Sequence, residues 1–167
     1  MTHENAGLIL DETTIQRKLQ RMAYEIYERN AGEQAVILAG ILDRGHIVAT
    51  RLEALLKEIA PFDLQIINLV LDRKNPLEVT ASEAVDFTGQ TVIVIDDVAN
   101  SGRTMLYAMK PILAYLPKKI QTAVLVDRTH KSFPVVVNYI GHSLSTTLQE
   151  NINVEVADGR IRGVYLS

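Results

Sequence analysis

Ile15, Leu19, Met22, Ala23 and Ile26 are apolar at steps of four, three, one and three along an otherwise polar stretch, the spacing of one face of an α-helix. Asp11 is placed to cap its start and Gly32 to stop it, so the pattern predicts a helix over 12–30. A short apolar run, 35–39, predicts a strand, and residues 40–45, bounded by two glycines, predict a loop. A second stripe through Ile47, Leu52, Leu55, Leu56 and Ile59 then predicts another helix. After Pro61, residues 64–71 predict a strand, whereas 72–89 are charged, contain Pro76 and lack a period. A loop of that length inside a compact domain is uncommon, and an active-site lid is one usual reason for it.

Residues 91–95 are almost wholly apolar and rich in β-branched side chains, as a strand buried on both faces should be. A third helix is expected over 102–115, kinked or broken by Pro111, which would cost about 3 kcal/mol in a regular helix interior. The runs 122–126 and 135–140 predict two more strands, with weaker candidates at 152–156 and 161–165. No internal repeat interrupts this order. Strands alternating with helices argue for an α/β fold: a central parallel β-sheet with helices on both faces, joined by right-handed crossovers.

The 167 residues suffice for one domain with a proper core, and a single domain over 1–167 is expected. With 47% hydrophobic and 22% charged residues, disordered and collagen-like classes are excluded. Seventeen basic against twenty acidic residues give a net charge of −3, so no global positive field draws the chain onto DNA or a membrane surface. Cysteine is absent, which removes disulfides and thiolate chemistry and suits a reducing compartment. The first ten residues, with His3 and Glu4, lack the apolar core of a leader, and no run approaches the roughly 18 apolar residues of a spanning helix. A soluble, cytoplasmic protein is expected. His3, His46, His130 and His142 show no metal-ligand spacing.

In parallel sheets ligands bind beyond the carboxyl ends of the strands, so the residues just after each apolar run carry the chemistry. After 91–95 come Asp96 and Asp97, then Val98, Ala99, Asn100, Ser101, Gly102, Arg103 and Thr104. Adjacent carboxylates suit a hydrated Mg²⁺ or a pair of sugar hydroxyls. The small-residue turn that follows offers backbone N–H groups and the hydroxyls of Ser101 and Thr104, which together make a phosphate cradle. Carboxylates and cradle describe a sugar phosphate; a helix cap followed by a glycine turn is the plainer alternative. A second candidate is Gly40 to Gly45, with Asp43 and Arg44 between strand and helix. His46 and Ile47 stand where a P-loop needs Lys and Ser/Thr, so a Walker site is rejected, although an anion could still be held there. Asp127, Arg128, Thr129 and His130 end another apolar run and, taken alone, read as a polar turn.

The segment Val92 to Thr104 resembles the phosphoribosyl diphosphate (PRPP) motif of type I phosphoribosyltransferases: a hydrophobic strand, two acidic residues, then a Ser-Gly-x-Thr turn. Within that superfamily the run Val124 to His130, the later Asn138 to Gly141, and Leu10-Asp11-Glu12 before a helix are most similar to the PyrR family of pyrimidine-operon regulators and uracil phosphoribosyltransferases. The resemblance implies transfer of phosphoribosyl from PRPP to a nucleobase with Mg²⁺ as cofactor, in a homodimer or homotetramer. It places Asp96 and Asp97 at the ribose and the metal, and Ala99, Asn100, Ser101, Gly102, Arg103 and Thr104 around the 5′-phosphate. It puts Asp43, Arg44 and Gly45 against the diphosphate, with Asp96, Asp97 and Arg44 as the catalytic set. Loop 72–89, with Arg73 and Lys74 at its start, would be the lid that keeps water from the cation-like sugar. A small C-terminal hood would cover the base, with Asp127, Arg128 and Ile140 beside it.

Two departures bear on the base. Asn100 stands where 6-oxopurine enzymes of the superfamily carry an Asp, and Asp127 where they carry a Lys that donates to the purine carbonyl. Both favour a pyrimidine, uracil first, over hypoxanthine or guanine. The lid is shorter than is usual in PyrR and lacks the Tyr-Arg-Asp style opening, and in the phosphate cradle Ala99 and Asn100 stand where that family usually has bulkier apolar residues. A regulator that binds RNA through Arg17, Lys18 and Arg21 is the other class of function; those residues also pair with Glu25 and Glu28 at helical spacing, so RNA is not favoured.

Overall fold

The computed structural model describes residues 7–145 and 150–167. His3 and Glu4, on which the leader argument rested, lie outside the described residues.

The chain opens with β1 (Gly7–Asp11) and α1 (Glu12–Arg29). Asp11 caps α1 as expected, its Oδ1 accepting the Thr14 N–H at 2.8 Å, and that bond holds its carboxyl below the usual carboxylate range. Asp11→Ala is expected to lower the melting temperature by about 2–4 °C at pH 7. Asp11→Asn should keep the cap. A depressed carboxylate stabilises only while ionised, so the Ala variant should converge on wild type in strong acid; calorimetry across pH checks both.

Next come β2 (Ala35–Ile41), α2 (Arg44–Ile59), β3 (Asp63–Leu71), β4 (Val79–Ala81), β5 (Thr91–Ala99), α3 (Arg103–Ala108), α4 (Lys110–Leu113), β6 (Lys119–Arg128), β7 (Tyr139–Leu144), β8 (Ile152–Ala157) and β9 (Arg160–Leu166). A six-stranded sheet runs β4-β3-β2-β5-β6-β7, parallel except where β4 turns back on β3. Successive residues of a strand face opposite ways. Val36, Leu38, Ile93 and Ile95 therefore meet Ile15, Leu19, Met22, Val48 and Leu52 of α1 and α2. On the other face Ile37, Ala39, Ile41, Val92 and Val94 meet Met105, Ala108 and Ile112 of α3 and α4. Each such fully buried aliphatic side chain contributes about 1.5–3 kcal/mol. Residues 91–95 of β5 are all buried, as a central strand should be.

The connections reverse at β2. The chain passes from β2 to β3 on one side and then to β5 on the other, which leaves a crevice between the carboxyl ends of β2 and β5, where α/β sheets hold their ligands. A second sheet, β1-β9-β8, is antiparallel; its Leu10, Val154, Ile161 and Val164 join the α1 side of the core. This sheet is the hood.

Several boundaries differ from the sequence pattern. The loop expected over 40–45 shrinks to Leu42 and Asp43, because Gly40 is a packing residue: a Cβ there would lie 2.9 Å from His46 Cα and 3.0 Å from Gly45 O. Residues 72–89 are not all loop, since β4 pairs with β3 and Phe87 is buried edge-on to Tyr115 at 5.9 Å. The expected helix over 102–115 breaks at Met109; Pro111, which lacks an N–H, then falls in the first turn of α4, where none is needed. Residues 135–138 precede β7 rather than forming it. There Asn138 Oδ1 accepts the Thr122 N–H at 2.9 Å, and the side-chain bond stands where a ladder bond was expected. β1 was not foreseen at all, because its partner, β9, lies at the other end of the chain.

Candidate active site

The crevice is built by a close approach of two backbones. α2 begins directly after β2, through the cis peptide Leu42–Asp43, and its Gly45 lies against the end of β5. A Cβ at Gly45 would stand 2.6 Å from Ile95 O and 3.1 Å from Asp96 Cα. Absence of a side chain there lets the Asp43–Arg44 turn sit beside the carboxylate pair.

Beyond the carboxylates the chain turns through Asn100, Ser101 and Gly102 into α3. Gly102 has φ +90°, a left-handed conformation open to glycine at little cost. Ser101 O accepts the N–H groups of Ser132 and Phe133 at 3.0 and 3.1 Å, which pins the loop after β6 to the turn. Residues 98–105 with Arg73 and Asp96 line a cavity of about 190 Å³. A second, of about 530 Å³, is lined by Leu42, Asp43, Arg44, Asp72, Lys74, Asp97 and Ile152 among others. The two share Arg73, Val98 and Asn100, so they form one bipartite cleft. Its small lobe is the turn, and its large lobe lies between the β2–α2 turn and the hood.

The two aspartates differ. Asp96 is 2% exposed; its Oδ2 and Oδ1 accept Arg73 Nη1 and Nη2 at 2.8 and 3.0 Å, and Oδ1 also accepts the Asp97 N–H at 2.9 Å. The same pairing raises the Arg73 guanidinium above its ordinary value. Among the described residues no cationic side chain is bonded to Asp97; its Oδ1 accepts the Val98 N–H at 2.8 Å. Burial first, then the charge of Asp96, push its carboxyl up to about 7. Only one of two adjacent carboxylates is neutralised by the protein, and the other faces the large lobe wanting a cation or a hydroxyl donor.

Arg44 lines the large lobe, and its Nε donates to Val154 O of the hood at 3.0 Å. Lys74 lines it too. Asp127, Arg128 and Ile140 are not among the residues lining either lobe. Asp127 is level with Ala99 on the neighbouring strand, paired with Lys131 Nζ, and Arg128 donates to Glu150 O. Ile140 lies two strands from Asp96; its carbonyl and that of Gly141 accept Arg21 Nη2 at 3.1 and 2.8 Å. Arg21 also pairs with Glu25 at 2.5 Å, the helical pairing expected from their spacing. Three residues to which the sequence gives no role of their own also stand at or beside the site. Lys131 reaches Asp127 and packs over Gly102, Ile152 enters from the hood, and Leu42 takes Arg73 Nη2 on its carbonyl at 3.3 Å. Lys131 stands four residues after Asp127, a spacing visible in the sequence, whereas Leu42 and Ile152 are brought in by contacts between distant segments.

Among the described residues no cluster of three or more His, Cys, Asp or Glu side chains could hold a metal by protein ligands alone. One cavity-facing carboxylate next to a phosphate cradle instead fits Mg²⁺, which commonly binds through one or two carboxylates plus substrate phosphates. No helix among them is long and apolar enough to cross a membrane.

A parallel sheet with its crevice at the switch point, a carboxylate pair and a small-residue phosphate turn define the type I phosphoribosyltransferase class. A family model for the phosphoribosyl transferase domain matches residues 6–156. The bifunctional protein PyrR of Streptococcus pyogenes serotype M12 is 39% identical over 161 residues, 92% of this chain and 93% of that protein. The bifunctional protein PyrR of Fusobacterium nucleatum is 38% identical over 171 residues, 95% and 97% of the two chains. The chain belongs to the phosphoribosyltransferase family, in its PyrR branch. In fold it is similar to the hypoxanthine phosphoribosyltransferase of Trypanosoma cruzi, with a TM-score of 0.78 over 96% of this chain and 95% of that one at 14% identity. A hypoxanthine-guanine phosphoribosyltransferase of Bacillus anthracis gives 0.69 over 83% and 82% at 20% identity.

Proposed function

We propose that this phosphoribosyltransferase moves the phosphoribosyl group of PRPP to uracil, giving UMP and pyrophosphate, as one domain over 1–167 in a cytoplasmic homodimer or homotetramer. The observation that carries it is the bipartite cleft, with Asn100 at its seam and Asp127 level with Ala99. Asn100 lacks the carboxylate, and Asp127 the ammonium, that 6-oxopurine enzymes carry at those two positions. The likeness to PyrR proteins along nearly the whole chain supports the same choice.

In this reading the turn Ala99 to Thr104 holds the 5′-phosphate in the small lobe. Asp97 takes the ribose hydroxyls and Mg²⁺, with Asp96 beside it, and Asp43, Arg44 and Gly45 border the diphosphate. Mg²⁺ held at Asp97 would supply charge neutralisation to the diphosphate and so make it a better leaving group. Bond cleavage leaves positive charge on the sugar, so a fixed carboxylate near the ribose and a guanidinium near the diphosphate both stabilise the transition state. No protein nucleophile is required. Asp127, Arg128 and Ile140, expected beside the base, line neither lobe and are given no contact to it in this reading. Charge on α1 favours RNA little, since Arg21 is committed to Glu25 and to the β7 carbonyls.

Pyrophosphate release with Mg²⁺ and PRPP, offering uracil, hypoxanthine, guanine, xanthine, adenine and orotate one at a time, tests the assignment. Turnover with uracil alone is expected. Turnover with a purine would overturn the pyrimidine assignment, and PRPP binding without turnover would favour a nucleotide-sensing regulator.

A further inference from the structure

We infer that Arg73 is a positioning residue for phosphoribosyl transfer, which fixes the Asp96 carboxylate and joins the walls of the cleft, rather than an arm of a closing lid. The inference rests on the placement of PRPP in this cleft and not on the choice of uracil.

The geometry gives Arg73 four simultaneous hydrogen bonds, to three partner residues. Its fork engages both oxygens of Asp96 at 2.8 and 3.0 Å. Nη2 also reaches Leu42 O at 3.3 Å, in the turn between β2 and α2. Its own carbonyl accepts Arg103 Nη2 at 2.8 Å, from the first residue of α3. The β2–α2 turn, the carboxylate pair and the phosphate turn are thereby linked through one residue. Arg73 is also one of three residues shared by the two lobes. A residue so committed cannot swing with each turnover without releasing Asp96, a carboxylate 2% exposed, and an unpaired buried charge is strongly unfavourable.

The arrangement also determines which carboxylate does what. With Oδ1 of Asp96 accepting two bonds and Oδ2 one, the fork holds that side chain in one rotamer. Asp97 donates its N–H to that same Oδ1, so the orientation of the pair follows from Arg73. Lysine carries the charge but not the planar fork. It can meet one carboxylate oxygen but cannot also span the second and the Leu42 carbonyl in the same geometry.

The experiment uses the full chain and the variants Arg73→Lys, Arg73→Ala, Asp96→Asn and the double variant Arg73→Ala/Asp96→Asn. Calorimetry measures Mg·PRPP binding, and kinetics measure kcat and the PRPP KM with whichever base the wild type accepts. For Arg73→Lys we expect kcat to fall at least about tenfold while the PRPP KM changes less than about threefold, since a misplaced carboxylate costs chemistry more than binding. For Arg73→Ala we expect about a hundredfold loss, with added guanidinium restoring about tenfold and methylammonium restoring none. The double variant should be no worse than the poorer single, because the two residues act as a unit. Full kcat in Arg73→Lys, a loss confined to the PRPP KM, or losses that multiply in the double variant would overturn the inference. Arg73→Lys decides the matter if Arg73→Ala fails to fold. A wild type that binds no Mg·PRPP would overturn the placement of PRPP beneath it. Binding without turnover by any base overturns the positioning role alone.

Discussion

Asp97→Asn is expected to lower turnover at least about a hundredfold while raising the melting temperature at pH 8. The two effects have one cause. Asp97 lies partly buried beside the Asp96 carboxylate, and burial first, then that neighbour, push its carboxyl up to about 7, against 3.8 in a free chain. The folded state therefore holds a proton that the unfolded state gives up between pH 4 and 7. The stability this group contributes is complete below the unfolded value and is lost as pH rises through the folded one. Asparagine cannot ionise and keeps that stability at every pH. The variant should match wild type near pH 4 and exceed it at pH 8, by at least about 2 °C for a domain of this size. Differential scanning calorimetry of the ligand-free protein between pH 4 and 8.5, with turnover on the same preparations, checks both halves. A variant no more stable than wild type at pH 8 would remove the like-charge argument, and unchanged turnover would remove Asp97 from the chemistry.

That trade-off was half visible in the sequence. An apolar strand ending in two acidic residues announces that carboxylates stand at the mouth of a parallel sheet, because strand burial and strand polarity follow from local pattern alone. What the pattern cannot give is which carboxylate is neutralised. The neutralising group, Arg73, lies 23 residues earlier in the chain, and the fold brings it alongside because β3 and β5 flank β2. In sequence it stands at the head of an aperiodic stretch, where a mobile arm is the natural expectation.

The same division runs through the fold. Helix α1 was legible from its stripe and its Asp11 cap and α2 from its stripe alone, both local signals, and the break before Pro111 because proline acts on its own turn. β1 was illegible: five residues with Leu8 57% exposed carry no alternation, and only β9, paired as Gly7 with Leu166 and Leu8 with Tyr165, makes them a strand. Gly40 and Gly45 misled in an instructive way. Glycine between a strand and a helix reads as loop, yet both are there so that a strand and a helix can touch.

Gly45→Ala should therefore damage both stability and catalysis. Its Cβ would sit 2.6 Å from Ile95 O and 3.1 Å from Asp96 Cα. Both neighbours are backbone in the central strand, so neither can rotate away. Relief requires α2 to lift from β5, at an overpacking cost of about 1–3 kcal/mol. It also shifts the Asp43–Arg44 turn relative to the carboxylates, and a displacement near 1 Å at a reacting centre costs about a hundredfold in rate. Gly32→Ala is the control, since nothing lies within 4 Å of a Cβ there, and it should stay within about 0.5 kcal/mol of wild type. Urea melts and steady-state turnover of the two variants separate the outcomes. Destabilisation with full turnover would mean that the carboxylates keep their geometry without this contact. Wild-type behaviour in both would mean that helix and strand do not approach so closely in solution.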